Sequence, residues 1–363
     1  MRGVFLHGVP YGLRDRPHHV AEIDRLRRGL AAQTPLIDIG MAIKGPQLSK
    51  AETAVADLRA AAERGVLASM HQSAGAPGPA WKVVTDAGLW NSNVNIVHGT
   101  GLSREWVTSL VAAGVTFTST PENELGQGHV TRLTERLLAI GAAPSLGTDT
   151  EMVAPGELLI AARVALAEQR ALGHDRARRT TGLGAPKVAV TAKQALAWAT
   201  IEGARALGLA DRIGYLGKGM QADLTIIDAR ALNLWPAHNP IAAALHANSG
   251  NIEAVMIAGQ WRKRDHALVD APIDVAKAKL EESGDRLTAI LRKDGGLLKL
   301  RRGVVQRVVQ KSLRQQTKQG GPIGEDPDDG AFDDLPLDAE ESAAHTDGAV
   351  EKGSRDAEGD GPR

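Results

Sequence analysis

The chain has no cysteine among its 363 residues. That excludes disulfides, thiolate metal sites and a cysteine nucleophile, and leaves His, Asp and Glu as the side chains able to ligate a metal. No uninterrupted apolar run reaches the roughly 18 residues of a membrane-crossing helix. The opening Met-Arg-Gly-Val-Phe-Leu-His-Gly turns polar too quickly for a signal peptide. A soluble, cytoplasmic protein without a membrane partner is the expectation. The glycines at 182–184 and 214–219 are not followed by the Lys-Ser/Thr of a phosphate loop and do not follow a Rossmann first strand, which argues against nucleotide binding.

The net charge is also zero, but this hides a segregation. Basic residues dominate from Arg286 to Lys318 (Arg292, Lys293, Lys299, Arg301, Arg302, Arg307), and acids dominate from Gly320 onward (Glu325, Asp326, Asp328, Asp329, Glu340, Glu341). The basic stretch lacks interleaved aromatics and has an acidic neighbour, so it reads as a solvated helix face and not as a nucleic-acid patch. Residues 319–363, poor in aliphatic side chains, are expected to be a disordered acidic tail. Over the rest of the chain the hydrophobic content, 43% overall, suffices for a buried core.

Strand-like runs alternate with helical patterns up to about residue 210. The runs are Gly3–His7, Leu36–Ile43, Val66–His71, Val94–His98, Val115–Ser119 and Ala143–Asp149. Helical spacing marks Val20–Leu30, Ala51–Arg64, Trp81–Ala87, Ser103–Ala113 with Ser103 as N-cap, and Val130–Ile140. Regular alternation argues for a parallel α/β sheet covered by helices. Two further helices are expected at Glu157–Leu172 and Ala192–Leu207, with a polar loop over 173–190 between them. After Leu209 short strands with turn chemistry replace this texture, and Ile273–Leu291 reads as a terminal helix.

Three strand ends carry metal-ligating side chains. His71 ends Val-Leu-Ala-Ser-Met-His, His98 ends Asn-Val-Asn-Ile-Val-His, and Asp149 ends Pro-Ser-Leu-Gly-Thr-Asp. In a parallel α/β barrel such ends converge on one mouth, where distant residues can meet around a single ion. The loop from Pro121 to His129 adds Glu122, Glu124 and His129 as candidate substrate-facing side chains.

Several motifs in order resemble the amidohydrolase superfamily, in its branch of cytosine-deaminase-like and chlorohydrolase-like metal-dependent hydrolases. They are Met70-His71, Val97-His98-Gly99 with Leu102-Ser103, Leu146-Gly147-Thr148-Asp149, Ala199-Thr200 with Gly203-Ala204, Ala222-Asp223-Leu224, and Val255 with Ile257-Ala258-Gly259. The resemblance implies a (β/α)₈ TIM-like barrel with a small β subdomain. It maps the six runs onto strands three to eight, so that strands one and two and their His-x-His are missing from this chain. The implied organisation is an incomplete hydrolase barrel over 1–210, a β subdomain over 211–271, a C-terminal helix and basic extension over 272–318, and the tail over 319–363.

The resemblance further implies a divalent metal, zinc first and iron second, held by His71 and Asp149. Asp149 would also be the general base, His98 would bind metal or polarise the substrate, and no other cofactor would be needed. Hydrolysis of a carbon–nitrogen bond in a small, cyclic, nitrogenous substrate follows. Deaminases of this branch place a Glu three residues after the His71 position, and Ala74 stands there instead. Upstream of His71 only His7, His18 and His19 could substitute for the His-x-His. Three readings of the late start remain open: an internal methionine of a longer enzyme, a truncated and inactive remnant or oligomerising scaffold, and a homo-oligomer whose copies cover each other's sheet edges.

Overall fold

The computed structural model describes residues 2–9, 15–73, 75–129, 133–151 and 154–293. The first part alternates strand and helix: β1 (Gly3–Gly8), α1 (Val20–Leu26), β2 (Ile37–Ala42), α2 (Gly45–Leu48), α3 (Ala51–Arg64), β3 (Ala68–His71), α4 (Pro79–Asp86) and β4 (Val94–Val97). It continues with α5 (Arg104–Ala112), β5 (Thr116–Ser119), α6 (Pro121–Gly126), α7 (Leu133–Ala139), β6 (Ser145–Leu146), α8 (Leu158–Thr181), α9 (Ala192–Trp198) and α10 (Ile201–Ala206). Then come β7 (Leu224–Ile227), α11 (Pro240–His246), β8 (Ile252–Ile257), β9 (Gln260–Arg264), β10 (Ala267–Leu268) and α12 (Ile273–Lys293).

Strands β1 to β6 pair in sequence order, every pair parallel, into one curled six-stranded sheet. Successive side chains of a strand point to opposite faces, so the register sorts this sheet into two chemistries. Met41, Ala68, Met70, Ile96 and Phe117 lie on one face and are buried with Leu58, Trp81, Leu102 and Leu110 of the covering segments in one core. The opposite face is small and polar. Ser69 Oγ donates to Asn95 Oδ1 at 3.2 Å, Asn95 Nδ2 donates to Thr116 Oγ1 at 3.2 Å and Thr118 Oγ1 at 3.0 Å, and the Thr118 and Ser145 hydroxyls lie 2.8 Å apart. His71, two residues beyond Ser69, shares this face.

Helix α5 begins as its sequence dictates, Ser103 Oγ accepting from the backbone N–H of Trp106. Elsewhere the helices depart from expectation. Helix α8 runs through the first part of the stretch expected to be a loop and ends only at Gly182, whose φ of 76° supplies the left-handed cap. Gly173 is no breaker there, because its bare Cα admits Ala189: a Cβ would stand 3.0 Å from the Ala189 Cβ. The single helix expected over 192–207 is broken into α9 and α10 at Thr200, whose φ of −129° and ψ of −91° are not helical. The strand expected over 143–149 shortens to two residues.

Strands β7 to β10 form a separate antiparallel sheet in the order β10-β9-β8-β7. Arg2, just before β1, forks onto Asp223, just before β7, with Nε to Oδ2 at 2.5 Å and Nη2 to Oδ1 at 3.1 Å. Ala258 N–H donates to the same carboxylate at 2.7 Å. Asp223 is thus one point that ties the two sheets together. Burial works against its charge, but the Arg2 fork and the Ala258 amide outweigh it and hold the carboxyl below the usual range. Among the described residues no helix is long and apolar enough to cross a membrane. Most of the basic extension, from residue 294 to 318, and the acidic tail lie outside the described residues.

Candidate functional site

The polar face of the large sheet ends at the candidate site. Hydrogen bonding of His98 N to Thr118 O at 2.9 Å carries β4 one residue past its last paired position. The chain then turns through His98 and Gly99 at φ of 68° and 64°. Asp149, three residues past β6, is also left-handed at 57°. His and Asp tolerate this region better than β-branched or bulky side chains, and strained backbone of this kind collects at functional sites.

These turns gather side chains from four strand ends around His98. The rings of His71 and His98 have centroids 5.3 Å apart, and those of His98 and His129 5.5 Å apart. His98 Nε2 lies 3.9 Å from Asp149 Oδ2, and its Nδ1 lies 3.0 Å from Glu124 Oε1. Glu124 also accepts from the Ser119 hydroxyl and the Thr120 N–H, each at 2.8 Å. A carboxylate so placed makes His98 Nδ1 the donor, and in the neutral ring that leaves Nε2 as the bare acceptor facing Asp149. Asn123 donates from Nδ2 to Asp149 Oδ2 and accepts at Oδ1 from Gln127 Nε2, which fixes the carboxylate from the side.

Burial lowers the His71 pKa, the His98 ring adds to this, and Asp149 opposes it. Burial and His98 likewise lower that of His129, against Glu124 and Asp149. Both rings are therefore biased toward the neutral form, which has a lone pair to offer a ligand. His129 Nδ1 and Glu122 Oε2 are buried without a hydrogen-bond partner among the described residues.

Of the residues singled out from sequence, the structure brings His71, His98, Asp149, Glu124 and His129 together. Glu124 faces His98, is 1% exposed and is hydrogen-bonded to His98, Ser119 and Thr120. Glu122 sits on the same short helix. Ala74 lies outside the described residues. His18 is taken up elsewhere: its Nε2 is 2.8 Å from the His7 carbonyl oxygen and its N–H donates to Asp57 Oδ1 at 2.6 Å. Sequence reasoning missed Asn123, Ser119 and Thr120, although the first lies inside the loop it selected. It also missed Glu168 on α8, whose carboxyl is pushed up to about 7 by burial and by the charge of Glu124, against a hydrogen bond from Gln169.

The donor types suit a divalent ion, since neutral imidazole and carboxylate are what zinc or iron binds in a chain without thiols. The arrangement is thinner than a coordination shell. Among the described residues no three His, Asp or Glu side chains are grouped so as to hold an ion. The 3.9 Å between His98 Nε2 and Asp149 Oδ2 also exceeds the roughly 3.4 Å that two tetrahedral zinc ligands at about 2.1 Å would show.

The model of the Amidohydrolase family matches residues 3–262. Among curated relatives, a 5-methylthioadenosine/S-adenosylhomocysteine deaminase of Teredinibacter turnerae is 30% identical over 179 residues, 49% of this chain and 38% of the relative. An S-triazine hydrolase of Gordonia rubripertincta is 31% identical over 161 residues, 44% of this chain and 32% of the relative. The matches thus span well under half the length of these relatives. Among solved structures, an adenosine deaminase of Xanthomonas campestris with bound zinc superposes with a TM-score of 0.64 at 21% identity, covering 79% of this chain and 65% of that one. An atrazine chlorohydrolase of Arthrobacter aurescens complexed with zinc gives 0.64 at 19% identity, covering 77% and 65%. The α/β architecture, the six parallel strands of part of a barrel and the family model agree, and the chain belongs to the amidohydrolase family.

Proposed function

We propose that this chain carries the hydrolytic site of an enzyme that cleaves a carbon–nitrogen bond in a small, cyclic, nitrogenous molecule. The observation that carries the reading is the meeting of His71, His98 and Asp149 at three strand ends, with Glu124 fixing the tautomer of His98. The relatives named above act on nucleosides and triazines, which share a ring carbon bearing an exchangeable substituent.

A divalent ion at this mouth, zinc before iron, would be held by His71 and Asp149 together with donors beyond those described, and would supply Lewis acidity and a water of lowered pKa. The chain's own part is acid–base and positional. His98 Nε2 accepts a hydrogen bond from the attacking water and orients it. Asp149 takes the water's proton as the new carbon–oxygen bond forms and returns it to the departing nitrogen as the carbon–nitrogen bond breaks. Asn123 holds Asp149 in position for both transfers. Glu122 and His129, with buried polar atoms left unpaired, are the side chains assigned to the substrate ring.

The test is metal content by elemental mass spectrometry together with ammonia release from amino-substituted purines, pyrimidines and triazines. Bound metal, release abolished by a chelator and restored by zinc, and a fall in kcat of about 10²–10⁴-fold in Asp149→Asn support the reading. A folded chain that binds no metal and turns over none of these classes overturns it and leaves an inactive scaffold of the same fold.

A further inference from the structure

The turn that carries His98 is strained in an identifiable way. Gly99 N–H donates back to Val97 O at 2.9 Å across His98, whose φ is 68°. A hydrogen bond closed over a single residue of positive φ is the rarer and more strained form of γ-turn. Gly99 and Gly101 follow, also left-handed, at 64° and 80°. Such a conformation persists only where its surroundings over-determine it. The His98 N–H, bonded to Thr118 O, fixes the entry to the turn. Its exit is met by α7. Leu133 and Arg136, one helical turn apart and therefore on one face of α7, are 1% and 2% exposed. A Cβ added at Gly99 would stand 2.9 and 3.0 Å from the Leu133 methyls, and Arg136 Nη1 donates to Leu102 O at 2.5 Å. The helix itself is fixed, with Leu133 to Leu137 all buried and Glu135 paired with Arg176 of α8.

We propose that Arg136 is a positioning residue for His98: with Leu133 it forms a clamp that closes on residues 99–102 and keeps His98 Nε2 aimed at Asp149. An aliphatic side chain would pack into the same core, so what the guanidinium adds is a charge-assisted hydrogen bond to a carbonyl of the turn. Leu133 blocks movement of Gly99 toward α7, and Arg136 resists movement of Leu102 away from it. Together they oppose the rotation by which the γ-turn would relax. Glu124 cannot replace the clamp. Its other bonds run to Ser119 and Thr120, so it offers the ring a partner without fixing the backbone that carries the ring. Loss of the clamp therefore lets the ring leave Glu124 while Glu124 stays in place. The catalytic consequence rests on the hydrolytic reading given above, but the aim of the ring is a property of the fold alone.

The imidazole nitrogen shifts of His98, read by nitrogen NMR of the full chain at alkaline pH, test the proposal without calling on activity. The wild-type ring is expected in the Nδ1–H tautomer that Glu124 selects. Arg136→Met keeps the apolar body of the side chain without a donor, and is expected to populate the Nε2–H tautomer with far-UV circular dichroism unchanged. Arg136→Lys, which keeps the charge but loses the planar fork, is expected to do the same and serves if the methionine variant does not fold. Turnover is expected to lose about 10-fold in kcat with KM little changed. Millimolar guanidinium is expected to restore both readouts in Arg136→Ala, where the shortened side chain leaves room for it. Arg64→Met, which removes an arginine bonded to Asp24, is expected to alter neither. Wild-type nitrogen shifts retained in both Arg136→Met and Arg136→Lys overturn the proposal, as do a wild-type ring already in the Nε2–H form and an equal tautomer change in Arg64→Met. A tautomer that depends on Arg136 in a chain that turns nothing over supports the clamp and counts against the hydrolytic reading instead.

Discussion

His98 and Glu124 are joined by a hydrogen bond of 3.0 Å between Nδ1 and Oε1, with His98 3% and Glu124 1% exposed. Glu124 collects the Ser119 hydroxyl and the Thr120 amide on the same carboxylate, so one side chain satisfies three donors from two strand ends. Replacing it by Gln retains the shape but removes a charge-assisted acceptor and leaves a donor pair pointing at donors. The expected loss is about 1–3 kcal/mol of stability and about 10–100-fold in metal affinity or turnover. Urea unfolding alongside steady-state kinetics checks it, and an unchanged variant in both would remove Glu124 from the site.

The left-handed backbone at His98 separates chemistry from strain. Alanine there removes the ring and also places a Cβ in a conformation that costs roughly 1–2 kcal/mol for an L-residue, whereas glycine removes the ring without that cost. Thermal unfolding should therefore rank His98→Gly at least as stable as His98→Ala, against glycine's usual penalty. Both should lose turnover alike. The reverse stability order would show that the φ of 68° is not an enforced feature of this turn.

Glu168 gives the stability a pH dependence. Its carboxyl titrates near 7 in the folded chain, against an ordinary value of 4.5, because burial and the charge of Glu124 disfavour its ionised form. Between these values the folded chain retains a proton that the unfolded chain has released, so stability falls as pH rises through the window. Glu168→Gln should be more stable than the parent at pH 8, by about 1–3 kcal/mol, and the advantage should vanish near pH 4.5. Parallel unfolding curves at the two pH values would decide it, a constant difference counting against the burial of this carboxyl.

Gly101 holds the turns after β3 and β4 together. A Cβ at this position, where φ is 80°, would stand 2.0 Å from the Gly75 carbonyl oxygen. Gln72 spans the same gap, its Nε2 reaching Gly75 O at 2.8 Å and Thr100 O at 3.2 Å. Gly101→Ala must therefore push the two turns apart and carry His71 away from His98. Loss of metal binding with far-UV circular dichroism retained is the expected outcome, and full metal binding by the variant would show that the two turns move independently.

Much of this was legible from the chain itself. Short apolar runs located the six parallel strands and three-to-four spacing located most of the helices, because the side that packs must be apolar wherever a strand or helix meets a core. The capping role of Ser103 was readable because an N-cap is settled within four residues. The extent of α8 was not: Gly173 looks like a breaker until Ala189 is seen to fill the space against it. Nor was the break at Thr200.

The same division holds at the site. His71, His98 and Asp149 could be named from sequence because strand ends with glycine-marked turns announce themselves locally. Glu124 could be named but its partner could not, since whether a carboxylate faces a ligand or a neighbouring ring depends on two segments 26 residues apart. Asn123 and Glu168 carry no local signal, and their roles arise only from where α6 and α8 place them. The sequence by itself determined most of the element types, the family and the donor types available, all properties of short-range pattern and side-chain chemistry. Tertiary structure alone decided the tautomer of His98, the pairing of Arg2 with Asp223 and the raised carboxyl of Glu168, because each is fixed by distance and burial between groups that the chain keeps far apart until it folds.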